Sequence, residues 1–152
     1  MAGGKNSGAD LGLLVLRLAL AGIFIAHGVQ KVIGPGVEGF SSTLANLGVP
    51  FPYQAAVATI ASELGGGLVV GLGLGVVARL GALALAVVMG VAILKVHLHN
   101  GFFIPLEVKE AGRVAWGYEY NIALLAMALC VLFAGPGKLG LLSGRGRGGD
   151  QG

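Results

Sequence analysis

Four stretches of the chain are almost wholly apolar, roughly residues 11–32, 53–74, 76–98 and 117–135, and glycine, proline or charge separates each from the next. A bilayer core of about 30 Å needs about 20 predominantly apolar residues in a helix, so these stretches predict four membrane spans. Between the first two lies "GPGVEGFSSTLANLGVPFP", whose glycines and prolines break the helix and whose "SSTLANLG" predicts a short interfacial turn. The second and third are joined only by "GLGLG", which makes them antiparallel neighbours in a tight hairpin. Before the fourth comes the polar, proline-bearing "NGFFIPLEVKEAGRVAWG", with Phe102, Phe103 and Trp116 suited to the headgroup layer. The expected architecture is an all-α, antiparallel bundle of four transmembrane helices within residues 11–141. A polar tail, 1–10, precedes it and a disordered, basic, glycine-rich tail, 142–152, comes after it.

Composition supports a bilayer as the solvent. With 55% hydrophobic and 11% charged residues, the chain has too little polar surface to coat a soluble globule. The net charge of +3 is modest and partly carried by the tail "GRGRGGDQG", so lipid headgroups, not nucleic acid, are the expected partner. The first ten residues, with one lysine, resemble the n-region of a signal peptide and "ALA" at 19–21 is a weak cleavage site, but Arg17 interrupts the apolar region and the run continues past that site; an uncleaved first span is expected. One cysteine, Cys130, excludes an internal disulfide and a cysteine-held iron–sulfur cluster within one chain, and it is expected to serve packing. No flavin, haem or dinucleotide motif is present; the many glycines suit close helix packing.

With four spans, Lys5, Arg79, Lys138, Arg145 and Arg147 fall on one side and Lys31, Lys95, Lys109 and Arg113 on the other. The small bias places both termini in the cytoplasm and both long loops outside.

At a rise of about 1.5 Å per residue, position within a span gives depth. Glu63 falls near the midplane and Arg17 about 6 Å inward of it, which makes the two an expected ion pair. His27 and Glu119 reach one level toward the outside, with His97, His99, Lys31 and Lys95 just beyond. Arg17, Leu20, Phe24, His27 and Lys31 share one helical stripe. Glu63, Gly67 and Gly71 step by four and form a small-residue ridge against which another backbone can pack. In the third span, Arg79 and His97 fall on one face, while Lys95 and His99 fall opposite and are expected to snorkel into the headgroups.

Each of these groups has a plain structural reading. Arg17 with Glu63 locks two helices; His27 donates to a neighbouring carbonyl; Lys95 and His99 sit in the interface; Trp116, Tyr118 and Tyr120 form an aromatic belt. The functional reading is that intramembrane charges, gathered at one depth with histidines, line a site. His27, His97, His99 and Glu119 have metal-donor chemistry, but His97 and His99 diverge on a helix, and no metal site is expected.

The segments "RLALAGIFIAHGVQK", "LGVPFP", "ASELGGGLVVGLGLGVVARLGALAL", "VMGVAILKVHLHNGFF", "GYEYNIALLAMAL" and "GPGKLGL", in that order, resemble the DoxX family of small four-helix membrane proteins, from about Leu13 to Leu141. The resemblance places the family's polar positions on Arg17, His27, Lys31, Glu63, Arg79, His97, Tyr118, Glu119 and Tyr120. It departs from the family in the longer charged link "IPLEVKEAGRVAW" and in the ending "GPGKLGLLSG". Similar proteins are associated with membrane-bound sulfur and thiol redox, which implies an inner-membrane oxidoreductase subunit passing electrons from thiosulfate or a thiol to quinone. On that reading His27, His97, Glu63 and Glu119 carry the chemistry and proton transfer, Arg17, Lys31, Tyr118 and Tyr120 hold the quinone, and Lys31, Lys95 and Arg113 attract an anionic donor. A second subunit, a soluble redox enzyme or a homodimer are the partners to expect. The alternatives are a non-catalytic anchor that docks a soluble redox enzyme, and a small-solute or proton transporter.

Overall fold

A computed structural model describes residues 7–103 and 117–142. Trp116, Lys109 and Arg113, most of the charged link and nearly all of the basic tail therefore lie outside the described residues. The first span is α1, Ser7–Ile33. A short helix, α2, Gly36–Asn46, comes next where only an interfacial turn was expected, and it ends at Gly48, whose φ of +68° lets the chain reverse. The second span, Pro52–Leu72, consists of α3 (Pro52–Ala61), a π-helical turn (Ser62–Gly66) and α4 (Gly67–Leu72). Pro52 starts it because the first helical position needs no N–H donor. The third span, Gly75–Asn100, consists of α5 (Gly75–Ala92), a second π-helical turn (Ile93–His97) and a 3₁₀ turn (Leu98–Asn100). The last is α6, Glu119–Ala134.

Three of these helices are long and apolar enough to cross a membrane, and α6, at 16 residues, is apolar but shorter. Together they form the expected all-helical membrane bundle. Leu20, Phe24, Val70, Leu85, Leu124 and Val131 make its core, whereas Leu18, Leu80, Leu94 and Phe133 point outward, an arrangement that suits lipid as the solvent.

Small residues set the helix spacing. A Cβ on Gly71 would lie 2.9 Å from Ala21 Cβ, and one on Gly67 3.4 Å from the Ala21 carbonyl oxygen. The ridge Gly67–Gly71 therefore packs against α1 at van der Waals distance. The hairpin closes as tightly: a Cβ on Gly81 would come 3.0 Å from the Gly66 carbonyl oxygen, so α5 and the second span meet nearly backbone to backbone. The link between the second and third spans is Gly73–Leu74, with Gly73 at φ +67°.

Both ends of the bundle are fastened by backbone groups. On the side of the termini, the Leu141 amide donates to the Leu72 carbonyl (3.0 Å) and the Lys138 amide to Asp10 Oδ1 (3.0 Å). On the other side, the Tyr118 amide donates to the Gly101 carbonyl (3.2 Å) and the Glu119 amide to that of Phe102 (3.0 Å). These bonds join the end of the third span to the start of α6. Cys130 is a free thiol on the exposed side of α6.

Candidate functional site

The expected pair of Arg17 with Glu63 does not form. Glu63 accepts hydrogen bonds from Lys31 Nζ through both carboxylate oxygens, each at 2.7 Å, and Lys31 also sits 5.4 Å from the centre of the Phe40 ring. Helix register explains the difference. Aligning the midpoints of residues 11–32 and 53–74 would put Glu63 beside Gly22. In the structure, a Cβ on Gly28 would meet Glu63 Cβ at 3.3 Å and Leu64 Cδ2 at 2.7 Å. The shift from 22 to 28 is six residues, or about 9 Å along the axis. It brings the end of α1 to Glu63 and carries Arg17 away from it.

Arg17 instead caps the end of α4. Fully buried, it donates to the carbonyls of Val70 (3.4 Å), Gly71 (3.5 Å) and Leu139 (3.2 Å). Arg79 does the same for α6, donating to the carbonyls of Leu132 (3.0 Å) and Phe133 (3.1 Å). A cation at a helix C-terminus satisfies carbonyls that have no partner within the helix and meets the negative end of the helix dipole. Both arginines are explained by these contacts.

The half of the bundle away from the termini holds a cavity of about 850 Å³. α1 contributes Phe24, His27 and Lys31; α2 contributes Phe40, Thr43 and Leu44; the second span contributes Ala58, Thr59, Ser62 and Glu63. From the third span come Val88, Met89, Lys95 and His97, and from the fourth Tyr120, Asn121 and Leu124. The two π-helical turns both open onto it, the first through Ser62 and Glu63, the second through Lys95 and His97. A π-turn widens the helix by one residue and rotates the side chains beyond it, which is why Lys95 and His97, expected on opposite faces, line the same space.

Among the sequence-derived candidates, His27, Lys31, Glu63, His97 and Tyr120 meet in this cavity, while Arg17, Tyr118 and Glu119 lie outside its wall. Tyr118 packs edge-on against Phe102, with ring centres 5.4 Å apart. His99 is exposed in the 3₁₀ turn. Among the described residues, no group of three or more His, Cys, Asp or Glu is placed to hold a metal ion.

Sequence reasoning missed several residues of the wall. Asn121 is buried and its Nδ2 donates to Met89 Sδ at 3.7 Å, a weak bond for a side-chain amide. An asparagine inside the apolar run "NIALLAMAL" was the available signal. Thr43 and Phe40 come from α2, whose existence the sequence did not reveal. Chemically, the wall offers an internally neutralised ion pair, the Lys95 ammonium, two imidazoles able to donate or accept, a phenol and an amide, all set in an apolar lining. That combination suits a ligand with a polar, hydrogen-bonding head and an apolar body.

Comparison with known proteins agrees with this architecture. The chain is 26% identical over 129 residues to the Inner membrane protein YphA of Escherichia coli (strain K12), an alignment covering 85% of this chain and 86% of that protein. No solved structure matches the chain. The DoxX family profile matches residues 12–98, a stretch that runs from α1 through the second π-helical turn and contains every wall of the cavity except Gly117 and the residues of α6. Since that stretch is more than half of the chain, this multi-pass membrane protein belongs to the DoxX family.

Proposed function

We propose that this protein is the quinone-reducing membrane subunit of a redox complex in the bacterial inner membrane, with both termini in the cytoplasm and the cavity toward the outer face. The observation that carries the reading is the cavity itself. Its volume of about 850 Å³ lies in the range, about 300–1,000 Å³, of sites that hold small organic molecules, and its wall is apolar with few convergent polar groups. A quinone head presents two carbonyl oxygens, and His27, His97, Tyr120 and Asn121 offer donors to them. On reduction the quinone takes two electrons and two protons. The imidazoles of His27 and His97 are the groups suited to deliver protons, and Glu63, held by Lys31, is positioned to replenish them. The electrons come from a small sulfur reductant: two thiosulfates couple to one tetrathionate, or two thiols to one disulfide with release of two protons. Lys95 on the cavity wall favours an anionic donor.

The test is quinone reduction by purified protein in liposomes, with thiosulfate or a small thiol as donor, for wild type, His27→Ala and His97→Ala. Wild-type turnover that falls at least tenfold in folded histidine variants supports the reading. Folded wild-type protein that binds quinone but turns over neither donor would refute the catalytic role and favour an anchor, in which a soluble enzyme docked near the link 104–116 supplies the electrons.

A further inference from the structure

The second and third spans do not stay together along their length. On the side of the termini they meet at Gly66 and Gly81, and α4 and the first π-helical turn pack on α5. Beyond that turn they part, because α3 packs instead against α1 and α2. The cavity occupies the resulting gap, and residues on both of its edges are wall and surface at once. Ala58 on α3 is exposed, and so on α5 are Val87 (58%) and Val91 (45%), yet all three line the cavity. Val87 lies twelve residues from Gly75 and thirteen from Asn100, at the middle of the third span. At that depth the surroundings are acyl chains, so the gap is a side opening into the hydrocarbon and not a mouth to water.

The polar groups are distributed to match. The wall carries Lys31 with Glu63, His97 and the more exposed His27, while the edges of the gap at Ala58, Val87 and Val91 are apolar. An occupant with a polar head and an apolar tail satisfies both parts; a head alone leaves the opening to lipid. We infer that the cavity takes a long-chain quinone whose head lies against the Lys31–Glu63 pair and the histidines, and whose tail leaves between α3 and α5 into the bilayer core. This inference rests on the quinone reading above and adds the ligand's pose and the residues that select for its tail.

Binding of two probes to the full chain in lipid nanodiscs tests it: a quinone carrying a decyl tail and the same quinone head without the tail. Ala58→Trp and Val87→Trp place a large side chain at the opening, and Val76→Trp, at a position 73% exposed and away from the cavity, is the control. The expected result is at least a tenfold loss of affinity for the tailed probe in each edge variant, with the tailless probe bound within threefold of wild type and both probes unaffected in the control. Unchanged binding of the tailed probe, or equal loss of both probes, would overturn the pose while leaving the quinone site standing. Failure of folded wild type to bind either probe overturns the quinone reading and this inference with it.

Discussion

The Lys31–Glu63 pair is a charged contact between α1 and the second span, and its asymmetry makes a quantitative prediction. At 2.7 Å and an effective dielectric constant of about 20, the attraction is about 6 kcal/mol before desolvation is charged against it. The two partners are not equally committed to the interior. The Glu63 side chain is 3% exposed, on a π-helical turn in mid-span, and has nowhere else to go. The Lys31 side chain is 20% exposed and stands in the last turn of α1, so its ammonium can swing toward the headgroups. Lys31→Met should therefore strand a buried carboxylate and cost about 3–5 kcal/mol. Glu63→Gln releases a lysine that can relocate and keeps a hydrogen-bonding side chain in place, and should cost about 1–2 kcal/mol. In the double variant, Lys31→Met with Glu63→Gln, no charge is stranded, and stability should return to near that of Glu63→Gln alone. The cycle then gives a coupling equal to the cost of Lys31→Met alone, about 3–5 kcal/mol. Reversible unfolding in mixed micelles, titrated with a denaturing detergent, measures all four proteins. A Glu63→Gln variant as unstable as Lys31→Met, or a coupling below about 0.5 kcal/mol, would refute the reasoning.

The packing sets further outcomes. Gly73→Ala should destabilise the bundle by more than about 3 kcal/mol, since φ is +67° and the added Cβ would overlap the Arg17 guanidinium and approach Gly140 Cα to 2.6 Å. Gly90→Ala, where a Cβ meets nothing within 4 Å, should be neutral or stabilising by up to about 1 kcal/mol, so melting the two variants side by side checks the helix spacing. Arg17→Met removes the side-chain donor to three carbonyls, two of them at the end of α4, and should lower stability by about 3 kcal/mol in the same unfolding assay. Cys130, exposed on α6, should react in intact membranes with a lipid-soluble maleimide but not with a charged, impermeant one; equal labelling by both would place that face of α6 in water.

The spans were legible in the sequence because the bilayer imposes a length and a polarity on any helix that crosses it, and these survive without knowledge of neighbours. The hairpin at Gly73 and the ridge of Gly67 and Gly71 were readable for a similar reason: a two-residue turn and a missing side chain act locally. The charge partners were not readable. Choosing between Arg17 and Lys31 for Glu63 required the axial register of α1 against α4, which is set by how Gly67 and Gly71 fit against Ala21 and Ile25. A six-residue offset, invisible in either helix alone, reassigns the partners of Glu63 and Arg17 together. The cavity was equally hidden, since it exists because α3 leaves α5 for α2 and because two π-helical turns rotate Glu63, Lys95 and His97 toward one space. The order of residues along the chain is thus enough to specify a four-span membrane bundle with polar groups gathered toward the end away from the termini. Which of those groups hold the helices together and which face a cavity is settled by packing, because it depends on helix register and separation, and no residue carries either one alone.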